Sequence, residues 1–341
     1  MSTNFPEGLL TPETYRRFDQ RRTVFGRITK DENAPFYRQG MYDQVCEAFG
    51  NEDGYSRFEL ARTLGGWAVY DYFSEAFEPQ SGHYSNNMMD KPVLKSSTED
   101  PEELTAETKK AARAYGASSV GIAEVDPRWV YSHDRRGDPV ELPLQYDYAV
   151  VMTAPVHPEL TRESPAFPAA RASALSYSRM AFLIACLAEF IRRLGCRALP
   201  MGNDRVLSIP LAVEAGLGQL GRNGLLLTPD RGPYVKICKV FTDMELLPDD
   251  PLDPPLMNYC RNCGLCSEAC EVDAISSRKE PNTSTACPSN NEGVVRWAVN
   301  HDECYQFWVE NGSDCSTCIA ACPFTPGSWS SIFFGLQPGS G

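Results

Sequence analysis

Two runs of closely spaced cysteines near the C-terminus are the residues best suited to do chemistry. Nine of the 13 cysteines in the 341-residue sequence lie between Cys260 and Cys322. The two runs are Cys260-x2-Cys263-x2-Cys266-x3-Cys270 and Cys304-x10-Cys315-x2-Cys318-x3-Cys322-Pro323.

Metal binding explains these runs better than disulfide bonds do. Disulfide scaffolds are typical of short secreted chains with an even number of cysteines, whereas this chain is long and its cysteine count is odd. With only four histidines in the sequence, the ligands must be mostly thiolates. Structural zinc also uses sites of four cysteines, but such sites pair two separate C-x2-C motifs. Three consecutive cysteines at this spacing are typical of ferredoxins with two [4Fe-4S] clusters.

The spacing also predicts which cysteines share a cluster. Two-residue gaps let three thiolates wrap one face of a cube, and the three-residue gap carries the fourth thiolate to the other cube. The first cluster is then held by Cys260, Cys263, Cys266 and Cys322. The second cluster is held by Cys304, Cys315, Cys318 and Cys270. Glu271 follows Cys270 where proline is usual, and Cys287 is either a spare thiol or a replacement for Cys304.

The remaining cysteines carry no predicted chemistry. They lie in apolar surroundings, where a free cysteine behaves as a small hydrophobic residue. These residues are Cys46, Cys186, Cys196 and Cys238.

An ordered set of helices and strands precedes the cysteine runs. The pattern predicts an α/β (α+β) fold in which helices alternate with buried strands. The predicted helices cover 58–77, 101–115, 169–194 and 207–215, and the predicted strands cover 118–125, 148–154, 196–200 and 235–242. Met201 to Asp204 is predicted to be a loop, as is 90–100.

Composition divides the chain into regions. The proline-rich and acidic stretch Leu247 to Pro255 reads as a connector. We therefore expect a mostly helical N-terminal region over 1–94, a core over 95–255, a cluster domain over 256–330 and a tail over 331–341.

Charge and hydropathy limit the partners. The net charge of -13 argues against nucleic-acid binding, which needs a basic field. No stretch approaches 18 consecutive apolar residues, so we predict no transmembrane segment. Arg16 and Arg17 form a twin-arginine pair, but no apolar stretch follows, and they read as solvated helix surface. We expect a cytoplasmic protein, or an exported one whose leader has been removed.

A glycine-rich stretch follows the helix over 207–215. Gly216-x-Gly218-x-x-Gly221 matches the dinucleotide-binding pattern, but it follows a helix rather than a strand, so NAD is a poor prediction. The glycines indicate either tight turns or a backbone that approaches a large flat ligand closely. The residues alone do not choose between these possibilities.

Several ordered segments resemble one known family. The segment MGNDRVLSIPLAVEAGLGQLGRNGLLLTPDRGPYVKICKVFTD over 201–243, the connector and both cysteine runs are similar to the reductive dehalogenases. The resemblance extends back through 109–132 and 176–195. It implies a nitroreductase-like core that binds cobalamin base-off. No D-x-H-x-x-G motif occurs, so no histidine is expected as the lower ligand.

The resemblance also implies roles for individual residues. Tyr177 would be the proton donor, Asn203 its hydrogen-bonding partner and Lys236 a cation where many members have arginine. Trp308 would line the substrate pocket. The implied corrinoid contacts are Ser208, Gly216, Gly218, Gly221, Arg222, Asn223 and Gly224.

Replacing a carbon–halogen bond by carbon–hydrogen takes two electrons and one proton. A phenol can supply the proton, and a neighbouring cation would lower its normal pKa of about 10. We therefore expect Lys236 to lower the pKa of Tyr177. Without the resemblance, Tyr177 would read as an ordinary tyrosine of an amphipathic helix.

Two other functions fit the same pattern. An epoxyqueuosine reductase shares the corrinoid core and both clusters, but it acts on tRNA, a poor partner for an acidic protein. A non-catalytic electron-transfer or corrinoid-handling protein is the other alternative. For a dehalogenase we expect an organohalide substrate and a ferredoxin, flavodoxin or membrane-bound electron donor.

Overall fold

The computed structural model describes residues 9–11, 13–40, 62–64, 67, 70, 100–141, 146–252 and 256–326. Residues 62–64, 67 and 70 are helical, as the helix predicted over 58–77 requires. The rest of that helix, the predicted loop up to residue 99, Cys46 and the tail over 331–341 lie outside the described residues.

The centre of the fold is a four-stranded antiparallel sheet with strand order β1-β2-β6-β3. A separate two-residue hairpin, β4–β5, lies within the glycine-rich stretch. The strands are β1 Ser119–Glu124, β2 Tyr148–Pro155, β3 Ala198–Met201, β4 Gln219–Leu220, β5 Leu226–Leu227 and β6 Val235–Thr242. The four strands predicted from the sequence are present, although β3 begins two residues later than expected.

Helices precede, cover and follow this sheet in the described part of the chain. They are α1 Val24–Arg27, α2 Pro101–Ala114, α3 Pro158–Thr161, α4 Phe167–Arg193, α5 Ser208–Glu214, α6 Leu256–Asn262, α7 Leu265–Glu268, α8 His301–Asn311 and α9 Thr317–Ala320. Short 3-10 helices cover Gln20–Arg22 and Pro127–Trp129.

Local sequence explains where α2 and α4 begin and end. The Asp100 side chain accepts a hydrogen bond from the amide of Glu102, and Pro101 occupies the first turn of α2. Gly116 and Gly195 follow the two helices with positive φ angles of 108° and 90°, a conformation that glycine adopts without strain. Both helices therefore have the bounds that these signals predict, to within about two residues.

Helix α4 is the longest helix that the structure describes. By length and composition alone its 27 residues could cross a membrane. Its apolar face instead packs on the sheet, with Met180, Ile184, Leu187 and Ile191 fully buried. The core helix of a soluble protein meets the same criteria of length and composition, so α4 is weak evidence for a membrane span.

Two cores flank β6, because alternate residues of a strand point to opposite faces. Cys238 and Val240 belong to the core under α4, whereas Ile237 and Phe241 belong to the core that contains α5. The central strands β2 and β6 are buried on both faces, which matches their nearly continuous apolar sequences.

The N-terminal segment over 13–40 packs against the C-terminal region. Arg27 forms two hydrogen bonds with the carboxylate of Asp302 at 2.5 and 2.9 Å, and Phe25 contacts the rings of Tyr305 and Trp308. Arg16 and Arg17 are exposed as predicted, but their segment is not helical. The Arg17 guanidinium instead donates to the carbonyls of Val130, Tyr131 and Val140.

Candidate active site and cysteine centres

A large cavity lies between the sheet, the N-terminal segment and the cysteine-rich region. Its volume is about 620 Å³. Tyr177, Asn203 and Lys236 lie in one part of its wall, and Val299 and Ile319 lie in another. Val299 packs against Cys266, Cys270 and Cys318, and Ile319 packs against Cys318. The cavity thus reaches from three candidate catalytic residues to the cysteine runs.

The antiparallel sheet brings Asn203 and Lys236 to the same end. Met201, the last residue of β3, pairs with Lys239 of β6, so the loop after β3 lies beside the first half of β6. Tyr177 projects from α4 at this end. The Asn203 Nδ2 donates a hydrogen bond to the Tyr177 Oη at 2.7 Å, and the Lys236 Nζ lies 5.2 Å from the centre of the Tyr177 ring. The three residues form one constellation.

The expected effect of Lys236 on Tyr177 is wrong. Burial raises the pKa of Tyr177 to about 12, and the nearby Asp314 carboxylate acts in the same direction. The hydrogen bond from Asn203 lowers this pKa but does not overcome burial. The ammonium of Lys236 lies over the ring face rather than at the hydroxyl. Tyr177 therefore keeps its proton at neutral pH.

Asp314 is a buried acid beside this constellation that the sequence analysis missed. Only 5% of its surface is exposed. Burial lowers the pKa of Lys236, and the Asp314 carboxylate opposes that change. Burial raises the pKa of Asp314 in turn, and Lys236 opposes it. Each side chain therefore favours the charged form of the other. No sequence signal marks Asp314, because its partner is 78 residues away in the chain.

Lys239 is a second missed residue, and the sequence did contain a signal for it. Its side chain is completely buried, and its Nζ donates to the carbonyls of Gly202 and Val206 at 2.5 and 3.2 Å and to the Ser208 hydroxyl at 3.0 Å. These acceptors flank Asn203, so Lys239 fixes the loop that carries it. A lysine within the apolar run of β6 is rarely buried without a role.

Aromatic residues cover Tyr177 on its cavity side. The Trp67 ring stacks on the Tyr177 ring with centroids 4.8 Å apart, and the Tyr70 ring meets it edge-on at 5.0 Å. Both residues line the cavity. Trp67 and Tyr70 belong to the helix predicted over 58–77, for which the sequence predicted no role in the site.

Two predicted contact residues line the cavity. They are Ser208, at the start of α5, and Gly224, whose φ of 74° lies in the left-handed region. Together with apolar walls and the polar lining residues Asn290, Asn291 and Arg296, they suit a large flat macrocycle edged with amides. The cavity therefore fits a corrinoid by the chemistry of its lining.

The other five predicted corrinoid contacts, Arg222 among them, lie outside the lining of this cavity. A side chain at Gly216, Gly218 or Gly221 would collide with Asp250 or Leu227, so these glycines permit close packing within the protein. Asn223 lies instead beside the first cysteine run. For these residues the tight-turn interpretation describes the structure better than ligand contact does.

Arg222 is also placed differently from the corrinoid contact that the resemblance implies. Its side chain is 3% exposed and points away from the large cavity. The guanidinium donates to the carbonyls of Cys260, Cys263, Ser276 and Arg278. Arg222 therefore contacts the first cysteine run rather than the large cavity.

Trp308 does not line the cavity either. It lies on α8 and packs with Tyr305, Val24 and Ile28 under the N-terminal segment. Phe25, which contacts the Trp308 ring at 6.5 Å, lies between that cluster and the cavity and does line it. Trp308 therefore does not form the pocket wall as predicted; it packs behind Phe25, which does.

The first cysteine centre is a small cavity of its own. Cys260, Cys263, Cys266 and Cys322 all line it. Burial and the neighbouring thiols raise the pKa of Cys322 to about 12 and that of Cys266 to about 11, so these thiols keep their protons at neutral pH unless a bound metal holds them as thiolates. The last cysteine of the second run has joined the first run, as the spacing predicts.

The second centre contains the other four predicted ligands. Burial and the thiols of Cys315 and Cys270 raise the pKa of Cys304 to about 12. Burial raises the pKa of Cys318, and the thiols of Cys304, Cys315, Cys266 and Cys270 act in the same direction. Cys287 instead lies near Arg296. This geometry favours Cys304 over Cys287 as the fourth ligand.

Comparison with known families identifies the C-terminal part. Residues 259–325 match the 4Fe-4S dicluster domain family. The chain therefore carries a 4Fe-4S dicluster domain near its C-terminus, and the zinc alternative is set aside.

Curated relatives match most of the chain. A tetrachloroethene reductive dehalogenase of Desulfitobacterium hafniense is 33% identical in an alignment 355 positions long, which covers 83% of this chain and 64% of the relative. A tetrachloroethene reductive dehalogenase of Sulfurospirillum multivorans is 35% identical over 262 residues, covering 68% of this chain and 52% of the relative. An epoxyqueuosine reductase of Cyclobacterium marinum is 36% identical over 90 residues, or 26% of this chain and 28% of the relative. The chain thus spans about half to two thirds of the length of the dehalogenases that it matches.

A solved structure shares the fold. The catabolic reductive dehalogenase NpRdhA, in complex with 3-bromo-4-hydroxybenzoic acid, superposes with a TM-score of 0.70 at 23% identity. The match covers 94% of this chain and 43% of that one. The mixed helix and sheet arrangement and the C-terminal cluster domain are therefore those of a reductive dehalogenase fold.

Proposed function

Because the chain belongs to the reductive dehalogenase family, we propose that it replaces a carbon–halogen bond of a small organohalide by a carbon–hydrogen bond. One carbon–halogen bond breaks, one carbon–hydrogen bond forms, and halide leaves. The substrate gains two electrons and one proton, and a reduced ferredoxin, flavodoxin or membrane-bound donor is oxidised. The observation that carries the proposal is the Tyr177, Asn203 and Lys236 constellation in a cavity that reaches the cluster cysteines.

Two cofactors belong to this proposal. The eight cysteines would hold two [4Fe-4S] clusters, and the large cavity of a nitroreductase-like core would hold base-off cobalamin, with Ser208 and Gly224 in its wall. Bound cobalamin supplies the electrons that break the carbon–halogen bond. Val299 and Ile319 line the cavity and pack against cluster cysteines, so they would exclude water between the two cofactors.

Tyr177 holds the proton that the carbon receives. Its raised pKa of about 12 keeps Tyr177 protonated in a buried site, so the proton is available but the phenol is a weak acid. Asn203 donates to the phenolic oxygen, which leaves the Tyr177 hydroxyl proton to point elsewhere. After transfer, that same hydrogen bond stabilises the phenolate.

The pocket lining favours an apolar, unsaturated substrate. Trp67 and Tyr70 offer aromatic rings next to Tyr177, and Phe25 adds another ring elsewhere in the cavity lining. Such faces suit chlorinated alkenes and haloarenes. Lys236 could also pair with a substrate carboxylate. Chloroalkenes are the first class to test, because two of the relatives are tetrachloroethene dehalogenases.

The experiment is anaerobic reconstitution with cobalamin, iron and sulfide, followed by a halide-release screen with a strong reductant. Tyr177→Phe should lower turnover at least about 100-fold while cobalamin absorbance and iron content stay unchanged. Tyr234→Phe is the matched control, since Tyr234 is a buried tyrosine outside the cavity lining and its loss should leave turnover intact.

Full turnover by Tyr177→Phe with normal cobalamin binding would contradict the proton-donor role. No halide from any organohalide, despite bound cobalamin, would favour a non-catalytic electron-transfer or corrinoid-handling protein. Turnover of an epoxyqueuosine-containing tRNA would favour that reductase, although the net charge of -13 argues against a polyanion. We also propose a cytoplasmic location.

A further inference from the structure

Arg222 is a buried cation beside the first cysteine centre. The cavity that contains Cys260, Cys263, Cys266 and Cys322 is otherwise lined by neutral residues, and Arg222 is the one charged side chain in its described lining. The exposed fraction of Arg222 is 3%, so solvent screens its charge very little.

The hydrogen bonds of Arg222 hold the cation in place without neutralising it. Its Nε donates to the carbonyls of Cys260 and Cys263 at 3.1 and 3.0 Å, and its Nη2 donates to Cys260 at 2.6 Å. Its Nη1 donates to the carbonyls of Ser276 and Arg278 at 2.9 and 2.7 Å. All of these acceptors are neutral backbone groups.

A stacking contact supports the same position. The Arg222 guanidinium lies 4.7 Å from the centre of the Trp297 ring. Within the part of the chain that the structure describes, Arg222 forms none of the ion pairs found for other arginines. A buried guanidinium without a carboxylate is costly, and the negative charge that best compensates it is that of the adjacent thiolates.

We propose that Arg222 raises the reduction potential of the cluster held by Cys260, Cys263, Cys266 and Cys322, and leaves that of the other cluster unchanged. Four thiolates make the bound centre negative, and reduction adds one more electron. A fixed positive charge stabilises the reduced form more than the oxidised form, and a low local dielectric strengthens this effect. Arg222 is then a positioning and tuning residue of the cluster loop and not a cofactor contact of the large cavity.

A purely structural clamp is the competing interpretation, and charge separates the two. Arg222→Gln removes the charge and retains some hydrogen bonding. Arg222→Lys keeps the charge but loses the fork that bonds several carbonyls. Trp297→Phe keeps the charge, removes the stacked indole and also removes the hydrogen bond from the Trp297 Nε1 to the Arg278 carbonyl. The test is an EPR-monitored redox titration of each reconstituted protein, which reads two midpoint potentials without any organohalide.

We expect Arg222→Gln to lower one midpoint by at least about 59 mV, a tenfold change in the ratio of reduced to oxidised cluster for one electron. The other midpoint should stay within a small fraction of that shift. Arg222→Lys and Trp297→Phe should leave both midpoints close to those of the unmodified protein.

Equal shifts in Arg222→Gln and Arg222→Lys would overturn the proposal, as would an unshifted Arg222→Gln protein with full iron content. If Arg222→Gln does not retain both clusters, Arg222→Lys decides the question: an unshifted potential supports the charge effect and a tenfold change contradicts it. The proposal depends on the dicluster domain and not on dehalogenation, so absence of halide release would leave its test intact.

Discussion

Asn203 determines the environment of the candidate proton donor at the scale of a single residue. Its amide supplies a 2.7 Å hydrogen bond to the Tyr177 oxygen, and this bond works against the burial that raises the pKa of Tyr177. A neutral hydrogen bond of this kind contributes about 1 kcal/mol. The phenolate formed after proton transfer needs it most.

Asn203→Ala should therefore lower the rate of halide release about tenfold, because about 1.4 kcal/mol of phenolate stabilisation is lost. The effect should appear in kcat more than in KM, since the bond strengthens as the proton leaves. Steady-state kinetics on the cobalamin-loaded protein measure it. A KM effect alone would assign Asn203 to substrate binding.

Glu214 is a buried carboxyl with an unusual protonation state. It is 5% exposed, and burial raises its pKa from 4.5 to about 7. The Arg128 guanidinium, 3.9 Å away, lowers this pKa only in part. A raised carboxyl pKa favours the folded state at low pH, so its contribution is fully present below pH 4.5 and is lost as the pH rises through about 7.

Glu214→Gln removes this pH dependence. The free energy of unfolding of the variant, relative to that of the unmodified protein, should rise as the pH increases from about 4.5 to 7. Above about pH 7 the difference should stay constant, at no more than about 3 kcal/mol. Urea midpoints of the reconstituted protein at pH 5 and pH 8 check this. An equal difference between the two proteins at both pH values would contradict the assignment.

At the scale of the elements, β6 supports the site from both of its faces. Lys236 faces Tyr177 on α4, whereas Lys239, three residues later, points to the opposite core and binds the loop after β3. The antiparallel pairing of β3 with β6 puts that loop within reach. One strand therefore positions two of the three candidate catalytic side chains.

Lys239→Met should uncouple the loop from β6. The variant leaves the carbonyls of Gly202 and Val206 without their donor, so Asn203 moves away from Tyr177 and kcat should fall about tenfold or more. Lys109→Met is the matched control, since it breaks the 2.6 Å ion pair with Asp249 far from the loop and should leave kcat unchanged.

A double mutant cycle tests whether Lys239 acts through Asn203. If it does, Asn203→Ala combined with Lys239→Met should lose little more activity than either single variant, because both remove the same hydrogen bond. Fully multiplicative losses would show that Lys239 acts by another route.

At the scale of the whole molecule, the two cysteine runs exchange their last ligands. Cys322 lies with the first run, and Cys270 lies with Cys304 and Cys315. This exchange links the two halves of the domain, so each cluster depends on residues from both ends of it. Each run alone lacks one ligand.

Replacing the last cysteine of one run should therefore remove the cluster held mainly by the other run. Cys322→Ser should lose about four irons from the first centre, and Cys270→Ser should lose about four irons from the second. Iron analysis with EPR of the remaining cluster distinguishes the two variants. Cys287→Ser is the control and should retain both clusters; loss of iron in that protein would make Cys287 a ligand.

The sequence by itself determined the central strands and the long helix, and it predicted the eight cluster ligands. These features depend on local order: two-residue gaps fix three thiolates around one cube, and proline, glycine and apolar periodicity fix element bounds. The same spacing predicted the exchange of Cys322 and Cys270. The resemblance to one family then pointed to Tyr177, Asn203 and Lys236, which the sheet does bring together.

Tertiary structure decided what depends on burial and on distant partners. Three features of the site involve residues far apart in the chain: the raised pKa of Tyr177, the electrostatic effect of Asp314 on Lys236, and the anchoring of the Asn203 loop by Lys239. Arg222 turned from the large cavity to the cysteine loop for the same reason. A side chain's direction and its desolvation are set by the packed surroundings, which sequence spacing does not contain.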